Sequence, residues 1–555
     1  MRSTRLVAGL LLGALVAARA PAAEPAAAPP AVPGVALAGA ELESLRGGLA
    51  TLAAGGRVQF GGDEIVSHVA LPHVYEATGL RLLWQDAGRL SALLTAIRAA
   101  EEDGLRPADY HLAALARPGA GAGRVATDLL ATDAYLMLLY HLYFGKVDPV
   151  AIEPNWNLPL RQVREHEGLD FVLRALASGE IAEAAASLRP SHWLYQHGRA
   201  ALARYRDIER AGGWESVPTG PKLEPGTSDA RVPLLRRRLA ITGDYAGGPS
   251  ESTLYDEPLA EAVRVFQRRH LLTADGVVGR TTLAELNVPV AARIAQLRIN
   301  LERGRWVLNE IGDGDLLVVD IAGYGVRFLR NRRVIWRARA IVGQPYRQTP
   351  VFRAQIDNIV FNPTWTVPPG ILAKDVLPGM QRGVNVLEKK KLRVFDRDGA
   401  PVDPASVRWS EYTPRDFPYV LRQDSGDDNA LGRVKINFPN PYLVYLHDTP
   451  TRSLFEKSAR TFSSGCIRIE RPLELVELLL ADPVKWDAAA IRAAVEAGTT
   501  RSVQLAHKVP VLLIYWTADE DPEGHIVFKR DVYRRDARLL RALDGHFRFG
   551  TRVRA

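Results

Sequence analysis

Cysteine is nearly absent: Cys466 is the only one in 555 residues. One thiol cannot close a disulfide within the chain, which excludes a disulfide-stapled secreted scaffold. An idle exposed thiol in an oxidising compartment is a liability, so Cys466 reads as a small buried hydrophobe or as a reactive group. Long apolar runs are equally scarce. The N-terminal one, Leu6 to Ala18, is too short and too rich in Ala and Gly to span a bilayer comfortably. No later segment approaches about 20 uninterrupted apolar residues, and no cysteine follows the N-terminal run to accept a lipid. Metal-ligand spacing is missing too: His111, His141, His192 and His197 lack an H-E-x-x-H arrangement and read as structural or surface residues. Charge of one sign dominates only weakly, with 71 Lys+Arg against 63 Asp+Glu for a net +8. That balance favours an anionic partner but is too mild, over this length, to indicate nucleic acid. At 47% hydrophobic and 24% charged residues, disorder and fibrous structure are excluded. The length suits three or four domains of roughly 150 residues.

Arg2 and Arg5, the apolar run and the small residues Ala20-Pro21-Ala22 have the order of a secretory signal peptide, here residues 1–22. The expectation is an exported chain. Residues 23–40, Ala and Pro with little else, form an extended linker. From 41 to 217 the spacing is helical: Leu90, Leu93, Leu94 and Ile97 share one face before a charged turn that stops at Gly104. Leu129, Leu130, Leu136, Leu138 and Leu139 mark another helix, with Tyr135, Tyr140 and Tyr143 beside them.

Pro218 to Ser228 marks a boundary. A three-helix unit over 218–289 follows: Val232 to Leu239, then Ala262-Val263-Arg264-Val265-Phe266-Gln267, an Asp275-Gly276 turn, and Thr281 to Asn287. A connecting helix over 290–312 presents Val290, Ile294, Leu297 and Leu301 on one side and is expected to pack on the helical domain.

From Asp315 the period becomes that of strands. Leu316 to Ile321, Val326 to Leu329 and Val334-Ile335-Trp336 alternate with tight turns. Tyr442 to Leu446 and Val511 to Trp516 read as further strands, and Pro472 to Leu480 as a helix begun by its proline. This β-rich domain spans 313–540, leaving 541–555 as a C-terminal tail. Within it, about 368–432 is rich in Pro, Gly and charge and reads as a capping insertion. Its Lys389-Lys390-Lys391 run reads as a solvated surface. The fold class is therefore α+β multidomain.

The sharpest chemical signal is His447-Asp448-Thr449-Pro450, then Arg460, then Phe462-Ser463-Ser464-Gly465-Cys466-Ile467-Arg468. Histidine ends one strand, and cysteine opens another nineteen residues later. The thiolate is the nucleophile, and an unassisted thiol near pKa 8.5 supplies only a small fraction at neutral pH. A neighbouring imidazole takes that proton. Gly465 admits close backbone approach, and nearby N–H groups suit an oxyanion.

These residues resemble the L,D-transpeptidase family, whose motif is a histidine followed about twenty residues later by S/T-x-G-C. Where many members have S-H-G-C, this chain has Ser463-Ser464-Gly465-Cys466. The stretches Val342 to Pro350, Asn362 to Pro369, Lys435 to Asn440 and Gly104 to His111 are similar to the large multidomain branch. The 218–289 unit resembles a peptidoglycan-binding domain, with its A-V-x-x-F-Q, D-G-x-x-G and T-x-x-x-L-N pattern. The resemblance implies a helical scaffold domain, a wall-binding domain and a β-rich catalytic domain with a cap, working in the bacterial periplasm or cell envelope in cell-wall biogenesis and cell shape.

It further implies acyl transfer on peptidoglycan without metal or organic cofactor. Cys466 would attack the L–D peptide bond of a stem tetrapeptide, release D-Ala and form a thioester. An amine of another stem would resolve it into a 3→3 cross-link, with His447 acting as base and acid in turn. Tyr445, Trp365, Ser463, Ser464, Gly465, Arg460 and Arg468 are candidates for lining the site. Partners implied are stem peptides and glycan, proteins of cell-wall synthesis, and carbapenems that acylate Cys466. Two alternatives share the sequence: an L,D-carboxypeptidase or other cysteine hydrolase using water, and a noncatalytic wall-binding scaffold.

Overall fold

A computed structural model describes residues 31–117, 123–159, 161–521 and 524–549. The signal segment, most of the linker and residues 550–555 lie outside the described residues. Of the linker, Val35 forms a bridge with Leu82.

The N-terminal helices α1 (Gly39–Ala53), α2 (Ala70–Ala77) and α3 (Ala87–Ala99) pack on the 21-residue α4 (Arg124–Phe144), joined by α5 (Glu165–Ser178), α6 (Ile181–Ser187) and α7 (Trp193–Arg210). The leucine spacing accounts for α3, whose Leu93 and Ile97 are buried and whose Asp86 caps Arg89 N–H at 2.7 Å. Helix α4 is buried nearly all round, so its acids need partners. Asp128 accepts from Leu83 and Trp84 N–H at 2.8 Å each, and Asp133 from Ser67 N–H at 2.8 Å. The four histidines are engaged in local structure. His111 lies between Asp63 (2.8 Å) and Asp133 (2.9 Å), and His141 bonds Tyr110 at 2.8 Å. His192 caps Leu194 N–H, and His197 pairs with Glu520.

Helices α8 (Val232–Thr242), α9 (Glu257–Arg269) and α10 (Arg280–Leu286) enclose a separate core of Leu235, Leu239, Val263, Phe266 and Leu286. The Gln267 amide ties it together, donating to Asp275 at 2.8 Å and to Val277 O at 3.0 Å. The connecting helix α11 (Val290–Val307) runs against α7, and more than its apolar stripe is buried. Its charges are buried in pairs: Arg293 with Glu285 at 2.7 Å, Arg303 with Asp536 at 2.7 Å, and Arg305 with Glu302. Arg305 also donates to Asp103 O and the Tyr195 hydroxyl at 2.8 Å each. A polar face is thus buried because two neighbouring segments supply Glu285 and Asp536 and the helix itself supplies Glu302.

The C-terminal domain is one nine-stranded sheet. Its strands are β1 (Asp315–Asp320), β2 (Gly325–Arg330), β3 (Arg333–Gly343), β4 (Phe352–Phe361), then, beyond the cap, Val434–Asn437, Leu446–His447, Thr461–Ser463, Ile467–Ile469 and Arg501–Ile514. Pairing of β2 with β3 closes the sheet on itself. The cap has its own core and a four-stranded sheet of β5 (Trp365–Thr366), β6 (Arg393–Phe395), β7 (Pro401–Val402) and β8 (Val420–Gln423), in the order β5-β8-β6-β7. Its lysine run, residues 389–391, is exposed. Continuing in chain order, Val434–Asn437 is β9, Leu446–His447 β10, Thr461–Ser463 β11, Ile467–Ile469 β12 and Arg501–Ile514 β13; α12 (Pro472–Leu480) and α13 (Ala488–Glu496) precede β13, and α14 (Asp536–Asp544) follows it.

Two segments differ from expectation. Residues 541–549 are no free tail, because Leu543 is buried and Phe547 and Phe549 pack on Tyr140 with ring centroids 5.4 and 4.9 Å away. The strand expected from Tyr442 shrinks to β10. The Asn440 side chain accepts from Tyr442 and Val444 N–H at 3.0 and 3.2 Å and donates to Val444 O at 2.7 Å, taking the bonds a ladder would use. Leu443 consequently adopts φ 55° and is 66% exposed.

Candidate active site

Strand register assembles the site. Parallel strands β10 and β12 align Leu446 with Ile467 and His447 with Arg468, while antiparallel β9 and β10 set Ile436 opposite Leu446 and Lys435 opposite His447. Leu446, Ile467 and Ile436 point into the core. By alternation, Lys435, Tyr445, His447, Cys466 and Arg468 occupy the other face. The sequence places histidine and cysteine nineteen residues apart; the sheet places them on neighbouring strands of one surface.

Cys466 is half-buried, and its thiol faces Leu443 O at 3.8 Å. The left-handed turn at Leu443 aims that carbonyl at the sulfur. Tyr445 packs against the cap core that contains Trp365, and its ring lies 5.7 Å from that of His447. Burial pushes the thiol up, opposed by Tyr445, Lys435 and Arg468. Burial also raises Tyr445, which keeps its hydroxyl a donor.

His447 is buried, and its Nδ1 bonds Asp448 O at 2.6 Å. A carbonyl only accepts, so Nδ1 carries the proton and Nε2 is the basic nitrogen. Burial, with Arg468 and Lys435 nearby, pushes the imidazole down to about 3, against the pull of the Asp448 and Leu431 carbonyls. The imidazole is neutral near pH 7. No third side chain orients it among the described residues; the Asp448 carbonyl does that work.

The expected lining residues divide. Tyr445 lies on the site face and packs against the cap's core, of which Trp365 is part. Arg468 faces the site; its buried Nε has no hydrogen-bond partner, and burial lowers its pKa. Ser463 is turned inward: its hydroxyl donates to Cys466 O at 2.5 Å and accepts from Gly465 N–H at 3.1 Å. It braces the cysteine turn and is not at the surface. Gly465 has φ 118°, a conformation that requires glycine, and with its own N–H committed to Ser463 the Cys466 N–H is the better oxyanion donor. Ser464 is exposed and accepts from Arg347 at 2.9 Å. Arg460 does not reach the site, because its guanidinium is spent on the carbonyls of Ala340 (3.2 Å), Lys457 (2.8 Å) and Tyr324 (3.2 Å).

Sequence reasoning missed three contributors. Lys435 sits with its ammonium 4.2 Å from the Tyr445 ring centroid. Thr349 is fully buried and donates to Gly465 O at 2.8 Å. Arg347 joins Ser464 to Asp375 of the cap. Only Lys435 carried a readable signal: in Val434-Lys435-Ile436-Asn437 it alternates with core positions.

Residues 314–500 match the family model described as the L,D-transpeptidase catalytic domain. Residues 69–202 match the scaffold domain, and 228–286 the model described as "Putative peptidoglycan binding domain". A curated protein of Haemophilus influenzae named "Putative L,D-transpeptidase" is 35% identical over 244 residues, 44% of this chain and 48% of that protein. The chain thus spans about half the length of that relative. Among solved structures, the L,D-transpeptidase of Xylanimonas cellulosilytica is 14% identical, covering 54% of this chain and 99% of its own, with a TM-score of 0.17. That of Stackebrandtia nassauensis is 13% identical, covering 54% and 96%, with a TM-score of 0.21. The chain carries the L,D-transpeptidase catalytic domain together with a peptidoglycan-binding domain and a scaffold domain. These peptidoglycan-related domains indicate a cell-envelope location. No helix among the described residues is long and apolar enough to cross a membrane.

Proposed function

We propose that the protein is a periplasmic peptidoglycan L,D-transpeptidase with Cys466 as nucleophile and His447 as its base. The observation that carries the reading is the register of β10 and β12, which sets both side chains on one sheet face beside the cap. In the first half-reaction the sulfur attacks the carbonyl between the third stem residue and D-Ala. The thiol proton passes to His447 Nε2, and the oxyanion takes the Cys466 N–H. Collapse breaks the C–N bond, His447 returns the proton to the departing amine, and a thioester remains. In the second half an amine of another stem attacks, gives its proton to His447, and expels the sulfur, which is reprotonated. Arg468, with no carboxylate partner, suits a substrate carboxylate. Tyr445 packs against the cap core that holds Trp365, and a site kept dry under that cap favours amine over hydrolysis.

Intact-mass spectrometry after exposure to a carbapenem tests the nucleophile. One adduct on the wild type and none on Cys466→Ala is expected; an unmodified wild type would contradict an activated Cys466.

A further inference from the structure

Two cations face the candidate nucleophile without partners of their own. Lys435 is half-buried, and no ion pair engages it among the described residues; Arg468 is in the same position. For both, burial opposes the charge, and the sole influence restoring it is Cys466. A buried unpaired ammonium is costly, so its retention opposite a thiol calls for a chemical reason.

The geometry gives one. Asp448 N–H donates to Val434 O at 2.9 Å, which makes Lys435 and His447 a non-hydrogen-bonded cross-strand pair, the kind whose side chains approach most closely. The ammonium lies over the Tyr445 ring, on the same sheet face as Cys466. Charged and titratable groups around the sulfur are Lys435 on β9, Tyr445 just before β10, His447 on β10, Arg468 on β12 and, across Ser464, the Arg347–Asp375 pair linking the β3–β4 turn to the cap. The one carboxylate among them is already engaged by Arg347.

Resting on the reading of Cys466 as nucleophile, we propose that Lys435, with Arg468 beside it, is the fixed counter-charge of the Cys466 thiolate, so that the sulfur meets a lysine ammonium whether or not His447 carries the proton. Lys435 keeps its proton throughout the cycle. The thiol proton travels to His447 and on to the leaving amine, and the sulfur's negative charge always meets the same cation. Lys435 is thus a positioning residue for charge.

Alkylation of Cys466 in the full chain by iodoacetamide, followed by intact mass across pH, tests this without any peptidoglycan substrate. Failure of cross-linking would therefore leave these rates untouched. Lys435→Gln is expected to raise the pH midpoint by about one unit, a tenfold loss of thiolate below it. Lys435→Arg restores the midpoint, and His447→Gln leaves it within about 0.3 units while removing acyl transfer. Thermal unfolding controls for folding: Lys435→Gln removes a desolvated charge and should melt no lower than wild type. An unmoved midpoint in Lys435→Gln, or a rise confined to His447→Gln, would overturn the proposal.

Discussion

Arg347 ties the cysteine turn to the cap: its Nη1 donates to the Ser464 hydroxyl at 2.9 Å and to the Asp375 carboxylate at 2.7 Å, and Nη2 closes a second 2.7 Å bond to Asp375. The contact joins a residue two before the candidate nucleophile to the helical segment that begins the cap.

Cutting that tether should loosen the cap more than the fold. The pair is partly exposed, so it is worth at most about 1 kcal/mol. Asp375→Asn is expected to lower turnover by about threefold to tenfold, with an unchanged melting temperature and faster hydrogen exchange over 368–381. Arg347 holds the Asp375 carboxyl below its usual range. The stabilisation is therefore full above the ordinary carboxylate pKa and is lost as pH falls through the lowered value. Unaltered exchange in the variant would show that the cap is held elsewhere.

Thr349 supports the turn from beneath. Its hydroxyl donates to Gly465 O at 2.8 Å and accepts from Gly343 N–H at 2.9 Å, wholly out of solvent. Thr349→Val strands both groups and should cost about 1–3 kcal/mol. Calorimetry should show the melting temperature falling by several degrees, at roughly 2–4 °C per kcal/mol, with slower alkylation of Cys466. Thr349→Ser, which keeps the hydroxyl, is expected to recover most of both.

Acid stability has a predicted sign. Burial depresses His447, together with His141 and His270, in the folded state. Unfolded histidine protonates near 6.5, so in acid the unfolded chain binds more protons. The stability associated with these groups is full above 6.5 and is lost as pH falls from there towards about 3 for His447. His111, raised by Asp133 and Asp63 against its burial, contributes in the opposite direction: its share is present below 6.5 and lost as pH rises through its folded value. Urea titrations between pH 4 and 7 should show a shallower slope for His447→Gln than for wild type. Equal slopes would mean that His447 titrates normally in the fold.

Much of this was legible in the chain and part was not. The Pro472–Leu480 helix, the three-helix unit and the β1–β3 meander follow from local periodicity and turn residues. The candidate histidine and cysteine were visible because the residue types that serve as nucleophile and base are distinctive. Arg460 misled, because a basic residue between the two motifs reads like a substrate contact. Only the fold shows three carbonyls already consuming its guanidinium. Ser463 misled for the same reason, since exposure and inward bracing look alike in sequence. Thr349 and Arg347 depend on pairings between segments far apart in the chain, such as Thr349 to Gly465, which no local pattern encodes; for Lys435 alternation gave the face but not the neighbour. The one-sided connecting helix was half right. Its apolar stripe was readable, but the counter-charges of Arg293 and Arg303 come from elsewhere in the chain.

The central claim is acyl transfer from Cys466, and mass spectrometry of purified tetrapeptide muropeptides incubated with wild type and Cys466→Ala tests it most directly. The account predicts a cross-linked dimer that has lost one D-Ala, formed by the wild type alone. Tripeptide without dimer would make the protein a hydrolase, and dimer formed equally by Cys466→Ala would contradict the account outright.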